Sequence, residues 1–575
     1  MSAPSASDPA NGLATFRANL YSYYVQDAWQ PTERLVVTGG LRIEKPSFKD
    51  TPPENPSVLA NYARSTAAVP SKKTVSPRFS FNWDVTGDQR NQLRGGLGYF
   101  AGTPPFVYLS NAFGNSGLSG YASLTCSGTA ANQGTNTTST IPPPFNAANI
   151  ATPPTSCAPF TPAGGATRPG ASTAASANIA TIDPNFRFPQ YQKISMGYDH
   201  RFSNGLVGSL EGLFTKAMSN PFYTNLALQG PVQGPAGVDR NGRILYGVLT
   251  GTGGTANFVG GRQQVIDVTD VHGDKTYSIT GTLQKTFFDN FQGSLAYSYM
   301  QARDVASTTS STQGSNYRYQ RDVTGLLSDR SLTRAKNDMP HRIIATGSWR
   351  LKTLTDISFI YSGNSGAPFD YVYGSSAASG SGDANADGQS QNDLVYVPTD
   401  AHDPNEILFQ GWNGVAPGLT AGQALLSAQA QADAFDRFID GIKCLRANRG
   451  KMLSRNLCRN PWQNEIDVSV AQSLEAFGRQ NLQLRLDVIN FANLLNRKWG
   501  AQNFSDQGST CGPICSATVL LTHTGNVSAA GAAMGTGVTD PLARGVYTFD
   551  TNYKRWNADN ASSNYRMQLS MRYSF

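Results

Sequence analysis

The chain is poor in charge and has no long apolar run. Charged residues make up 15% of its 575 residues and hydrophobic ones 39%. No apolar stretch of about 18 residues or more occurs, so no helical membrane span is expected. The net charge of +7 is small for this length and comes with no Lys/Arg-rich run, which argues against nucleic acid as a partner. The 5 histidines are scattered, none with another histidine or a cysteine at i+2 or i+4. A G-x-S-x-G elbow, a Walker A loop and a G-x-G-x-x-G turn are all missing. No enzymatic activity is expected, and no catalytic or cofactor-binding residue is assigned. The opening M-S-A-P-S-A-S-D-P-A-N-G has neither the basic nor the apolar region of a secretory signal peptide.

What the chain does have is glycine, aromatics and alternation, with 57 Gly, 24 Tyr and 28 Phe. Its last residues show the pattern most cleanly. Tyr565, Met567, Leu569, Met571, Tyr573 and Phe575 alternate with Arg566, Gln568, Ser570, Arg572 and Ser574. A period of two makes one strand face apolar and the other polar. The length matches the roughly 9–11 residues with which a tilted strand crosses a bilayer.

Similar segments recur along the chain. They pair across short turns near residues 31–34, 85–90, 203–205, 288–290, 352–355 and 475–480. Long connections near 45–74, 101–187, 218–272, 303–339, 363–462 and 492–562 separate the pairs. Outer-membrane barrels put short turns on the periplasmic side and long loops outside. The predicted fold is therefore all-β: a transmembrane antiparallel β-barrel of about thirteen strands, the first descending from outside. A first strand in that direction leaves N–H and C=O groups open to lipid, costing several kcal/mol each. Residues 1–18 then read as an extracellular lead-in left by truncation, and 19–575 as part of a larger barrel. By parity, Arg42, Glu44, Lys193, Asp199, Arg201, Glu211, Glu465, Asp467, Arg485, Asp487, Arg566 and Arg572 face a wet lumen, where both signs form internal ion pairs.

Two features stand out in the loops. The 6 cysteines fall into local pairs, Cys126 with Cys157, Cys444 with Cys458, and Cys511 with Cys515, which suits disulfides in an oxidising compartment. No C-x-x-C spacing or nearby His favours zinc. The segment from Asp383 to Asp393 carries D-x-N-x-D-G, placing Asp383, Asn385 and Asp387 at alternate positions, followed by Gln389. That spacing fits a calcium loop, with Leu394 where an EF-hand has Glu and Asp393 or Asn392 as the substitute. It fits a polar Asx-rich turn equally well. Further on, Leu425, Ala428, Ala432, Phe435 and Ile439 recur at helical spacing.

Several stretches resemble one family. The hairpin Y-V-Q-D-A-W-Q-P-T-E-R-L-V-V-T-G-G-L-R-I-E and the pair V-S-P-R-F-S-F-N-W-D and Q-L-R-G-G-L-G-Y-F look like TonB-dependent outer-membrane receptors. The D-x-N-x-D-G-x-x-x-N-D-L-V-Y-V-P element, R-N-P-W-Q-N-E-I-D-V and L-Q-L-R-L-D-V-I-N-F-A-N-L-L-N-R resemble the C-terminal half of the Oar-like subfamily. That subfamily carries a carboxypeptidase-regulatory-like sandwich, a plug and a 22-stranded barrel. The resemblance implies a bacterial outer-membrane location, lipid as surroundings and an unidentified extracellular ligand. It also implies an assembly signal at Tyr573 and Phe575 read by the barrel assembly machinery. Contact with a TonB complex would pass through a plug, which these residues do not include. A passive porin-like channel and a surface adhesin are the alternative roles.

Overall fold

The computed structural model describes residues 2–3, 14–118, 122–123, 178–233, 237–251, 253–288, 290–308, 310–320, 327–375, 382–411, 426–475, 481–505, 517–532, 534, 539–540 and 543–574. A continuous antiparallel path of thirteen strands forms the wall. In chain order these are Ala18–Thr32, Leu35–Phe48, Thr74–Asp84, Asn91–Ala101, Gln190–Arg201, Val207–Asn225 and Lys275–Phe287, followed by Phe291–Asp304, His341–Arg350, Thr355–Asn364, Gln463–Glu475, Asn481–Ile489 and Arg566–Ser574. Each lies where the alternation predicts one. Among the described residues Ala18–Thr32 and Arg566–Ser574 each pair on one side alone, so this wall is an open sheet.

The register shows why alternation specifies the wall. Leu210 pairs with Gly281 and Tyr198, while Glu211 pairs with Thr280 and Gly197, so apolar and polar rows stay in line across strands. A slip of one residue would turn every apolar side chain inward. One face presents Trp29, Phe79, Met196, Leu210, Ile279 and Leu295, all exposed large hydrophobics. The opposite face carries paired charge. Arg42 meets Glu44 at 2.8 Å, Arg485 meets Asp487 at 2.8 Å, and Arg94 bridges Asp199 and Glu211, the latter at 3.0 Å.

The long connections are not bare loops. They fold into a cap with cores of its own. Pro368–Ser375, Ala517–Val527, Arg544–Thr548, Leu408–Phe409 and Cys458–Arg459 make a five-stranded sheet, partly parallel. Against it pack the helices Ala428–Gly441 and Lys443–Arg446. Phe435 and Ile439 of the longer helix are fully buried beside Tyr371, Leu521 and Phe549, the face the helical spacing predicts. Ser427 caps that helix, accepting from the Ala430 N–H at 3.1 Å. A second core joins helix Phe106–Gly114, through Tyr108 and Leu109, to Phe186, Tyr223, Ile266 and Tyr317. The wall strand Val207–Asn225 runs on into this layer, where Val265–Val271 pairs with it.

Candidate functional site

The cap is held to the rim by three residues close together in sequence. Arg455 reaches Asp304 at 2.6 Å and Thr333 at 2.8 Å. Asn456 donates to the Arg334 carbonyl at 2.8 Å. Arg459 meets Asp338 at 2.7 Å and the Gly366 carbonyl at 3.0 Å. Between them Cys458 is disulfide-bonded to Cys444, with Cα atoms 5.5 Å apart. The bridge ties the helical side of the cap to the segment that grips the rim. Cys126, Cys157, Cys511 and Cys515 lie outside the described residues.

At the centre of the cap lies Asp383–Asp393. The Asp387 N–H donates to both Asp383, at 3.1 Å, and Asn385, at 3.0 Å. The Gly388 N–H donates to Asp383 at 2.9 Å and the Gln389 N–H to Asp387 at 2.7 Å. Asn392 Nδ2 donates to Asp387 at 2.8 Å, and the Ala384 N–H to Asp393 at 2.7 Å. Gly388 has φ +81° beneath the Phe258 ring, a position that a side chain could fill only with strain and overlap. All three carboxylates are buried. Burial first, and then the neighbouring acids, push Asp383 far above the usual carboxylate range and Asp387 up to about 7. Burial also raises Asp393, against the pull of Arg243.

Three other parts of the chain converge on this segment. Arg243, 1% exposed, donates to Asp393 at 3.2 Å and to the Leu394 carbonyl. The Tyr246 N–H meets the Asn385 carbonyl at 2.9 Å. Arg318 holds Ser390 through Oγ at 2.9 Å and the carbonyl at 3.1 Å. Behind it, Leu394 bridges to Val372 of the cap sheet. Sequence reasoning did not find Arg243 or Arg318, because each is an isolated arginine far along the chain from its partner.

His402 is a second cluster missed from sequence. Its Nε2 lies 2.7 Å from Asp433, and its Nδ1 lies 3.0 Å from Asp400 and 3.3 Å from Asp436. Carboxylates on both ring nitrogens suit a charged imidazolium, and hydrogen bonds with Asp433 and then Asp400 raise its pKa. Arg449, 2.9 Å from Asp436, already shares that acid. At the other end of the molecule, Tyr573 stands exposed on the apolar face, and Phe575 lies outside the described residues.

A membrane-height antiparallel wall, apolar outside and charge-paired inside, under a folded cap, defines a transmembrane β-barrel protein. The sequence pattern of the outer membrane beta barrel domain matches residues 2–519, and the chain belongs to that family. It is a protein of the bacterial outer membrane. No curated protein matches its sequence. Among solved structures it is similar to the outer membrane transporter YddB from Escherichia coli, at 8% identity and a TM-score of 0.43 over 85% of this chain and 43% of that one. A mutant of the ferric enterobactin receptor PfeA from Pseudomonas aeruginosa gives 8% identity and a TM-score of 0.38, over 97% and 45%. The FrpB iron transporter from Neisseria meningitidis gives 8% and 0.35, over 83% and 41%. The chain spans less than half the length of each.

Proposed function

We propose that the chain is the C-terminal barrel portion of an Oar-like TonB-dependent receptor that takes up an unidentified ligand. The observation that carries this reading is the cap. Its loops form a packed, disulfide-bonded body with its own cores, anchored to the rim by Arg455 and Arg459. A structured outer surface of this kind suits ligand capture, where an unselective pore needs only a constriction. The charge-paired inner face supplies a wet path below it. The sequence stretches quoted above supply the subfamily. In this reading a plug outside these residues gates the lumen and contacts the TonB complex, while Tyr573 and Phe575 serve assembly.

The test uses the full gene product in planar bilayers, together with binding of the isolated periplasmic domain of TonB. A closed pore that binds TonB supports the reading. A steadily open pore without TonB binding makes the protein a passive channel instead.

A further inference from the structure

We propose that Asp383–Asp393 is a calcium site that holds the cap together, with Asp383, Asn385, Asp387, the Gln389 carbonyl and Asn392 as oxygen donors and Asp393 as counter-ion to Arg243. The inference stands whether or not the wall belongs to a TonB-dependent receptor.

The first observation is the fate of the charges. Arg243 takes Asp393. Asp387 is fully buried, and its carboxylate meets the Gln389 N–H and the Asn392 and Asn385 side chains, all neutral, with no cationic side chain among the described residues. Leaving a carboxylate so far from water without a cation is costly. The second observation is independent of the acids. Asn392 is 5% exposed, its Nδ2 lies on Asp387, and its Oδ1 has no hydrogen-bond partner among the described residues. A buried amide oxygen beside a buried carboxylate is a donor pair waiting for a cation.

The chemistry selects the ion. Every donor is oxygen, which suits a hard cation, and the mix of carboxylate, amide and carbonyl groups suits the larger, irregular shell of calcium over the strict octahedron of magnesium. Leu394 stands where a bidentate glutamate closes an EF-hand loop, and it is buried in the cap core. Affinity should then fall in the roughly 10⁻⁴–10⁻³ M range of extracellular calcium modules. Because Arg243, Tyr246 and Arg318 come to this segment from two other connections, one ion orders three parts of the cap.

The experiment takes the full chain in detergent micelles and measures calcium by equilibrium dialysis and cap order by limited trypsinolysis. One calcium per chain is expected, slowing cleavage within residues 237–411 by about tenfold, with magnesium far less effective. Asp387→Asn and Asn392→Leu should each weaken binding by about tenfold or more. The heat-dependent gel shift of the barrel, unchanged in both variants, separates loss of the site from loss of the fold. Absence of calcium binding at millimolar concentration overturns the proposal. So does equal protection by magnesium, or unchanged affinity in both variants.

Discussion

Leu569 lies directly opposite Leu486 across the last pair of wall strands, and both point away from the lumen, 77% and 40% exposed. Their neighbours Gln568 and Asp487 form the next pair and face the other way. Leu569→Arg therefore puts a charge into hydrocarbon and should destabilise the barrel by about 2–4 kcal/mol near mid-bilayer, whereas Gln568→Arg should cost little. Urea unfolding in liposomes measures both. Equal costs would overturn the assignment of the two faces.

Gly95 pairs with Phe81 across the wall, and a methyl group added there would sit 2.6 Å from the Phe81 ring and 3.2 Å from the Met196 sulfur. The glycine makes room for an aromatic ring to lie across the neighbouring strand. Gly95→Ala should cost about 1–2 kcal/mol, since the ring must swing aside. Phe81→Leu in the same chain should recover part of that loss. The same unfolding assay gives the coupling as a double-mutant cycle.

Cys444 and Cys458 close a loop with a sequence separation of 14. Replacing both with serine should release about 3 kcal/mol of loop-closure restraint and loosen the cap while sparing the wall. Proteolysis should then speed up within 428–459, with the barrel's heat-dependent gel shift unchanged. A loss of the gel shift would place the bridge in barrel assembly instead.

The wall was legible because its information is local. In Tyr565–Phe575 the side chains themselves alternate, and pairing follows from short turns such as Ser203-Asn204-Gly205, where the Leu206 N–H bonds to Asn204 at 3.1 Å. The helix Ala428–Gly441 was legible for the same reason, through Ala432, Phe435 and Ile439. The cap sheet was not. Tyr371 and Leu521 are fully buried, and so are Asp370, Thr518 and His523 on the same strands, so no exposed polar face alternates with an apolar one. Their pairing is parallel, between Asp370–Ser375 and Ala517–His523, across a separation that no turn encodes. The calcium-type spacing was visible as a pattern. What buries it, Arg243 from a distance of 150 residues, was not.

His402 ties the segment around Asp400 to helix Ala428–Gly441, through Asp433 and Asp436. Its pKa is raised in the folded protein, so the stabilisation it gives is fully present below the unfolded value of about 6.5 and fades as pH climbs through the folded one. Asp400 and Asp433 shift the opposite way, lowered chiefly by hydrogen bonds with His402, so their share is lost only in strong acid. Arg449, also on Asp436, stays charged throughout and keeps part of the contact at high pH. Cleavage of the 399–411 segment should therefore be slowest near pH 5–6 and quicken towards pH 8–9, after correction for the protease's own pH profile on an unfolded substrate. His402→Gln keeps a hydrogen-bonding side chain without the charge and should flatten that dependence. An unchanged pH profile in this variant would assign the dependence to another group.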